Sequence, residues 1–61
     1  MKNKKDILNR FRIRMNVYEL QGDDYSPSKF NVLCNGIVVD YFCGYKNAMH
    51  QFEMLFTRLA R

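Results

Sequence analysis

The residues of this chain able to do covalent or metal chemistry are few: Cys34, Cys43 and His50, with Asp23 and Asp24 as the one adjacent pair of carboxylates. A cysteine becomes a nucleophile when a nearby base or cation stabilises its thiolate, so Cys34 or Cys43 would need His50 within hydrogen-bond reach. The intervening sequence argues against this. Asn35-Gly36 follows Cys34 directly, and such a pair fits both left-handed positions of a two-residue hairpin turn. Cys34 then stands beside the turn on the core side, where a buried thiol is inert. Cys43 lies past the far end of the returning strand. At about 3.3 Å per residue, the two are well beyond the ~7 Å between Cα atoms that a disulfide spans. Both are expected as free thiols, which suits a reducing compartment. No third group orients His50, the Cys and His spacing fits no zinc pattern, and no further carboxylate follows Asp23-Asp24 at the spacing of a calcium loop. The expectation is a non-enzymatic chain with no catalytic, metal or cofactor site.

What remains is charge. Arg10, Arg12 and Arg14 recur at every second position. On one extended strand they would share a side, with charges ~7 Å apart along it. Such repulsion is tolerated more readily beside an anionic partner. The net charge of +4 and pI near 9.3 also favour nucleic acid or acidic protein surfaces as partners.

The arginines belong to an alternating stretch. Phe11, Ile13, Met15 and Val17 hold the odd positions; Arg10, Arg12, Arg14, Asn16 and Tyr18 hold the even ones. Period two over eight residues predicts a half-buried strand from about Arg10, with a short helix over residues 3–9, holding Ile7, Leu8 and Phe11 on one side, as the competing reading of what feeds it. Residues 21–28 carry Gly22, two aspartates and Pro27, the chemistry of a loop. Residues 29–42 read as a hairpin around Asn35-Gly36. Counting from that turn pairs Cys34 with Ile37, Leu33 with Val38, Val32 with Val39, Asn31 with Asp40 and Phe30 with Tyr41. Cross-strand partners share a face. Phe30, Val32, Cys34, Ile37, Val39 and Tyr41 would then face the core, and Asn31, Leu33, Val38, Asp40 and Phe42 would face outward.

Cys43-Gly44 ends the sheet, and residues 45–61 read as a helix. Tyr45, Ala48, Met49, Phe52, Leu55, Phe56 and Leu59 recur at steps of three and four, the apolar stripe of a packed helix. His50 falls on the polar side. The fold class expected is α+β: a three-stranded antiparallel sheet with one C-terminal helix packed on one face, in the order β-β-β-α. Its core would be Phe11, Ile13, Met15, Val17, Phe30, Val32, Ile37, Val39, Tyr41, Met49, Phe52, Leu55, Phe56 and Leu59. The chain of 61 residues is read as one small domain, with residues 1–6 a flexible basic arm. Hydrophobic content of 48% excludes a disordered class. No apolar run approaches the ~20 residues of a membrane span, and no apolar stretch follows the basic start as in a signal peptide. The expected setting is the cytoplasm, away from membranes.

Residues 30–60 resemble the later part of a double-stranded RNA-binding domain: a strand, an Asn-Gly turn, a strand, then a helix opening with Gly44-Tyr45-Lys46. That family opens its helix with a run of lysines, of which only Lys46 stands here, and its first helix is missing or very short. The resemblance covers about half the chain and implies architecture more than RNA binding.

One helix covers one side of a sheet, so the outer side is the expected working surface. On it the predicted register collects Arg10, Arg12, Arg14 and Tyr18 with Leu33, Val38, Asp40 and Phe42. Arginine and aromatic residues are enriched where proteins bind proteins. They also serve nucleic acids, where cations meet phosphates and rings stack on bases. Leu33, Val38 and Asp40 make the surface more apolar and less basic than phosphate binding requires. The function expected is therefore a regulator or inhibitor that docks on a larger protein or ribonucleoprotein. In size and economy alone the chain resembles the single-domain inhibitors that phages and mobile elements encode, anti-CRISPR and other anti-defence proteins among them. The alternative is direct RNA or DNA binding through Lys4, Lys5, Arg10, Arg12, Arg14 and Lys46. A second copy of the chain is a further candidate partner for the open sheet face.

Overall fold

The computed structural model describes residues 7–61. The reading of residues 1–6 as an arm, with Lys4 and Lys5, lies outside them. Four strands, β1 (Ile7–Ile13), β2 (Asn16–Gly22), β3 (Lys29–Cys34) and β4 (Ile37–Cys43), form one antiparallel sheet in the order β1-β2-β3-β4. One helix, α1 (Tyr45–Leu59), follows and packs on one face. The class is α+β as expected, with four strands in place of three. The order seen in the RNA-binding domain's later part is present as β3-β4-α1, preceded here by a β-hairpin.

The extra strand comes from a turn at Arg14-Met15 that splits the alternating stretch. Arg14 takes φ +56°, which non-glycine residues adopt uncommonly. The Arg12 side chain steadies it, its Nε donating to the Arg14 carbonyl at 2.9 Å. A two-residue turn pairs Ile13 with Asn16, so the inward positions pass from odd to even. Phe11 pairs with Tyr18 on the helix side, and Leu20 follows on that side. Met15 stands in the turn, 85% exposed, and Val17 points to the opposite face, so neither joins the helix-side core.

Asn35 and Gly36 form the expected turn, with φ +53° and +87°, both left-handed as a type I′ turn requires. Cys34 pairs with Ile37 and Leu33 with Val38, as counted. A β-bulge then inserts Val39 as an unmatched residue, and the register slips by one. Val32 pairs with Asp40, Asn31 with Tyr41 and Phe30 with Phe42. A slip of one residue exchanges the faces. Asp40 and Phe42 therefore lie on the helix side and Tyr41 on the open side, reversing the expectation for all three.

Gly44, at φ +88°, turns the chain out of the sheet, and its N–H donates to the Ser28 carbonyl at 2.7 Å. The helix lays Ala48 and Phe52 against Leu20, Phe30 and Val32, and these five form the buried core. Leu8, Phe11, Tyr18, Phe42, Met49 and Leu55 pack around it. The rings interlock: Phe11 stacks on Tyr18 at 5.1 Å and meets Phe52 and Phe56 at 4.9 Å each, and Phe30 meets Tyr45 edge-on at 5.9 Å. Of the expected core, Ile37, Val39, Tyr41, Phe56 and Leu59 are exposed instead.

Candidate functional site

The face of the sheet away from α1 has no element over it among the described residues. Alternation along each strand places Arg10 and Arg12 of β1 there, with Val17, Glu19 and Gln21 of β2, Lys29, Asn31 and Leu33 of β3, and Val38 and Tyr41 of β4. Leu33 sits at the middle, between Glu19 and Val38. It is only 8% exposed although no second layer covers it. Its neighbours' side chains close around it, while Val38 and Tyr41 remain more than half exposed.

Polar groups ring this apolar centre. The Arg10 guanidinium approaches the Glu19 carboxylate at 3.7 Å, and Gln21 donates to the other Glu19 oxygen at 2.8 Å. Lys29 Nζ lies 4.6 Å from the centre of the Tyr41 ring, within cation–π range. Asn31 is buried, and its side-chain amide donates to Asp23 Oδ1 at 3.0 Å. Asp23 Oδ2 also accepts the N–H groups of Tyr25 and Ser26, which fixes the β2–β3 loop beside the face. The Asn31 hydrogen bond, then that of the Tyr25 N–H, holds the Asp23 carboxyl below its ordinary pKa. Among the described residues, the one carboxylate on the strands of this face, Glu19, is thus held from two sides. Arg12 spends only Nε on the turn, which leaves the terminal nitrogens of its fork for a partner anion.

The expected site residues divide between two faces. Arg10, Arg12, Leu33 and Val38 come together on the open face. Arg14 sits in the turn at the end of β1, exposed. Tyr18, Asp40 and Phe42 are on the helix side: Tyr18 stacks on Phe11, Phe42 packs on the core, and Asp40 borders a groove beside α1. A side-chain hydrogen bond with Cys34, with desolvation after it, raises the Tyr18 phenol above its ordinary pKa. Lys46, of the alternative set, is exposed in the first turn of α1, on the side away from Arg10 and Arg12. Val17, Glu19, Gln21, Lys29 and Tyr41 belong to the open face and were not expected there. The signal of Val17, Glu19 and Gln21 lay behind the Arg14-Met15 turn and that of Tyr41 behind the Val39 bulge, whereas Lys29 follows from its alternation with Asn31 and Leu33. Both cysteines are free, Cys34 half-buried and Cys43 exposed at the other end of the sheet, and His50 is exposed on the helix.

Both edges of the sheet are blunted in the same way. On β1, Leu8 is the unmatched residue of a bulge, and the Asn9 side chain after it accepts the Arg10 N–H at 2.8 Å. On β4, Asp40 follows the bulged Val39 and accepts the Tyr41 N–H, also at 2.8 Å. An exposed edge invites another strand to pair; here each edge has an N–H already taken and a local kink. No helix among the described residues is long and apolar enough to cross a membrane.

Comparison with known proteins finds no family model, no curated protein and no solved structure that matches this chain.

Proposed function

We propose that the chain is a non-catalytic binding protein that regulates or inhibits a larger protein by docking the open face of its sheet. The observation that carries this reading is the apolar centre of that face. Leu33 is buried without a covering layer, Val38 and Tyr41 extend it outward, and Arg10, Arg12 and Lys29 surround it. This is the composition of an interface core with a cationic rim. A partner surface that is apolar at its centre and acidic around it fits. The blunted edges favour docking by the face over strand addition.

Nucleic acid fits less well. Among the described residues the open face offers three cations, one already engaged by Glu19. Three phosphate contacts give a salt slope of only about −2.7, against the six to ten contacts of strong binders. Tyr18 and Phe42, two rings expected to stack on bases, are packed on the helix side, and the exposed Tyr41 ring of the open face has Lys29 over it. The test is the affinity of the purified protein for mixed-sequence RNA and DNA near physiological salt. Little or no binding supports the protein-partner reading. Sub-micromolar binding abolished by replacing Arg10 and Arg12 with Ala overturns it.

A further inference from the structure

The helix leaves part of its own side of the sheet bare. Ile37 and Val39 of β4 and Leu59 of the last helical turn are 69%, 57% and 38% exposed. Ile37 lies opposite Cys34, on the same side of the sheet as Tyr18 and α1. Val39 and Leu59 line a groove of about 190 Å³ between β4 and α1, and Asp40 and Arg58 line it too. The Asp40 carboxylate bonds the N–H of its own neighbour through Oδ1, and Arg58 makes no ion pair among the described residues.

We propose that a second copy of the chain covers this groove, the two copies related by a two-fold axis, with Asp40 of each facing Arg58 of the other. An interface with two-fold symmetry sets one patch against itself, so the patch must be self-complementary. The groove meets that condition, with one charge of each sign beside exposed apolar side chains. The open face does not: self-contact there would bring together two patches that each carry Arg10, Arg12 and Lys29, with Glu19 already engaged. A standard interface takes ~800 Å² from each partner, roughly a sixth of the 4655 Å² surface of this chain. Ile37, Val39 and Asp40 of β4, with Gln51, Arg58 and Leu59 of α1, are the exposed side chains that supply it. Because Asp40 Oδ1 holds the Tyr41 N–H, the copies meet through side chains, and Oδ2 is left for Arg58. Pairing here leaves the open face free, so the dimer presents two copies of it.

Sedimentation velocity between about 10 µM and about 1 mM tests this over the range where a weak dimer shows. The wild-type chain should sediment as a dimer at the upper end. Asp40→Arg alone and Arg58→Asp alone should each be monomeric throughout, and an equimolar mixture of the two should restore the dimer by reuniting opposite charges. Leu59→Lys should be monomeric and gain nothing from mixing. Arg10→Ala with Arg12→Ala should leave the dimer unchanged. Circular dichroism of each variant at the lowest concentration establishes that it is folded. A wild-type monomer at about 1 mM, a dimer that survives both charge reversals, a mixture that stays monomeric, or a dimer lost with the two arginines overturns the proposal.

Discussion

Val17 and Asn35 exchange two hydrogen bonds: the Asn35 N–H donates to the Val17 carbonyl at 2.8 Å, and the Val17 N–H donates to Asn35 Oδ1 at 2.9 Å. The Asn35 amide also donates to Asn16 Oδ1 at 3.0 Å. One turn residue of the β3–β4 hairpin thereby ties down the end of the β1–β2 hairpin, and the two tight turns share one end of the sheet. Asn35 has a left-handed backbone and two side-chain bonds, so both its conformation and its chemistry are in use.

The side-chain part can be isolated. Asn35→Gly keeps the left-handed conformation at no steric cost and removes both side-chain bonds. A loss of about 1–2 kcal/mol is expected, since each such bond is worth about 0.5–1.5 kcal/mol net. Urea unfolding measures it. A midpoint equal to that of the wild type would mean the two hairpins are not coupled through Asn35.

The bulge at Val39 makes a reversed prediction for two adjacent residues. Phe42→Ser should cost at least ~2 kcal/mol, because Phe42 packs on the core. Tyr41→Ser should cost less than ~1 kcal/mol, because Tyr41 is 56% exposed. Without the bulge the order would invert. Thermal melts of the two variants side by side decide between the registers.

This pair also shows how far the sequence could be read. Asn35-Gly36 was legible because both positions require φ > 0 and the residues supply it. The helix stripe was legible from its period, and Phe52 and Met49 lie where the period put them. The Arg14-Met15 turn was not legible: neither residue favours a left-handed backbone, and a two-residue turn preserves strict alternation while moving the inward positions from odd to even. Nor was the bulge, since Val39 among Val38 and Ile37 looks like unbroken strand. These two local events account for Tyr18, Asp40, Phe42 and Tyr41 being on faces opposite to those expected. They also explain why only part of the open face, Arg10, Arg12, Leu33 and Val38, was placed from sequence.

At the centre of the core, Phe52→Ala should cost ~3–5 kcal/mol, comparable to the whole stability of so small a domain. Phe52 is 1% exposed and meets both the sheet and Phe11. Far-ultraviolet circular dichroism should show a largely unfolded chain at 25 °C. A folded variant that melts near the wild type would contradict the core described above.

Acid should act partly through Asp23. Its folded pKa lies below the ordinary value of 3.8, so its contribution to stability is fully present above the unfolded-state pKa and is lost as pH falls through the folded value. Wild type should therefore lose more stability than Asp23→Asn as pH falls from about 5 to about 2. Denaturant midpoints measured across that range test it. Parallel curves would show that the loop carboxylate is not coupled to folding.

The central claim is that the open face, on which Val38 stands exposed beside the central Leu33, docks on a protein. The most direct measurement places a photo-crosslinking amino acid at position 38, and separately at position 46 on the helix side, in nuclease-treated cell extract. Position 38 should yield a discrete crosslinked polypeptide that disappears when Arg10 and Arg12 are replaced by Ala, and position 46 should not yield it. Crosslinking from position 46 alone, or from position 38 undiminished without the two arginines, would contradict the account.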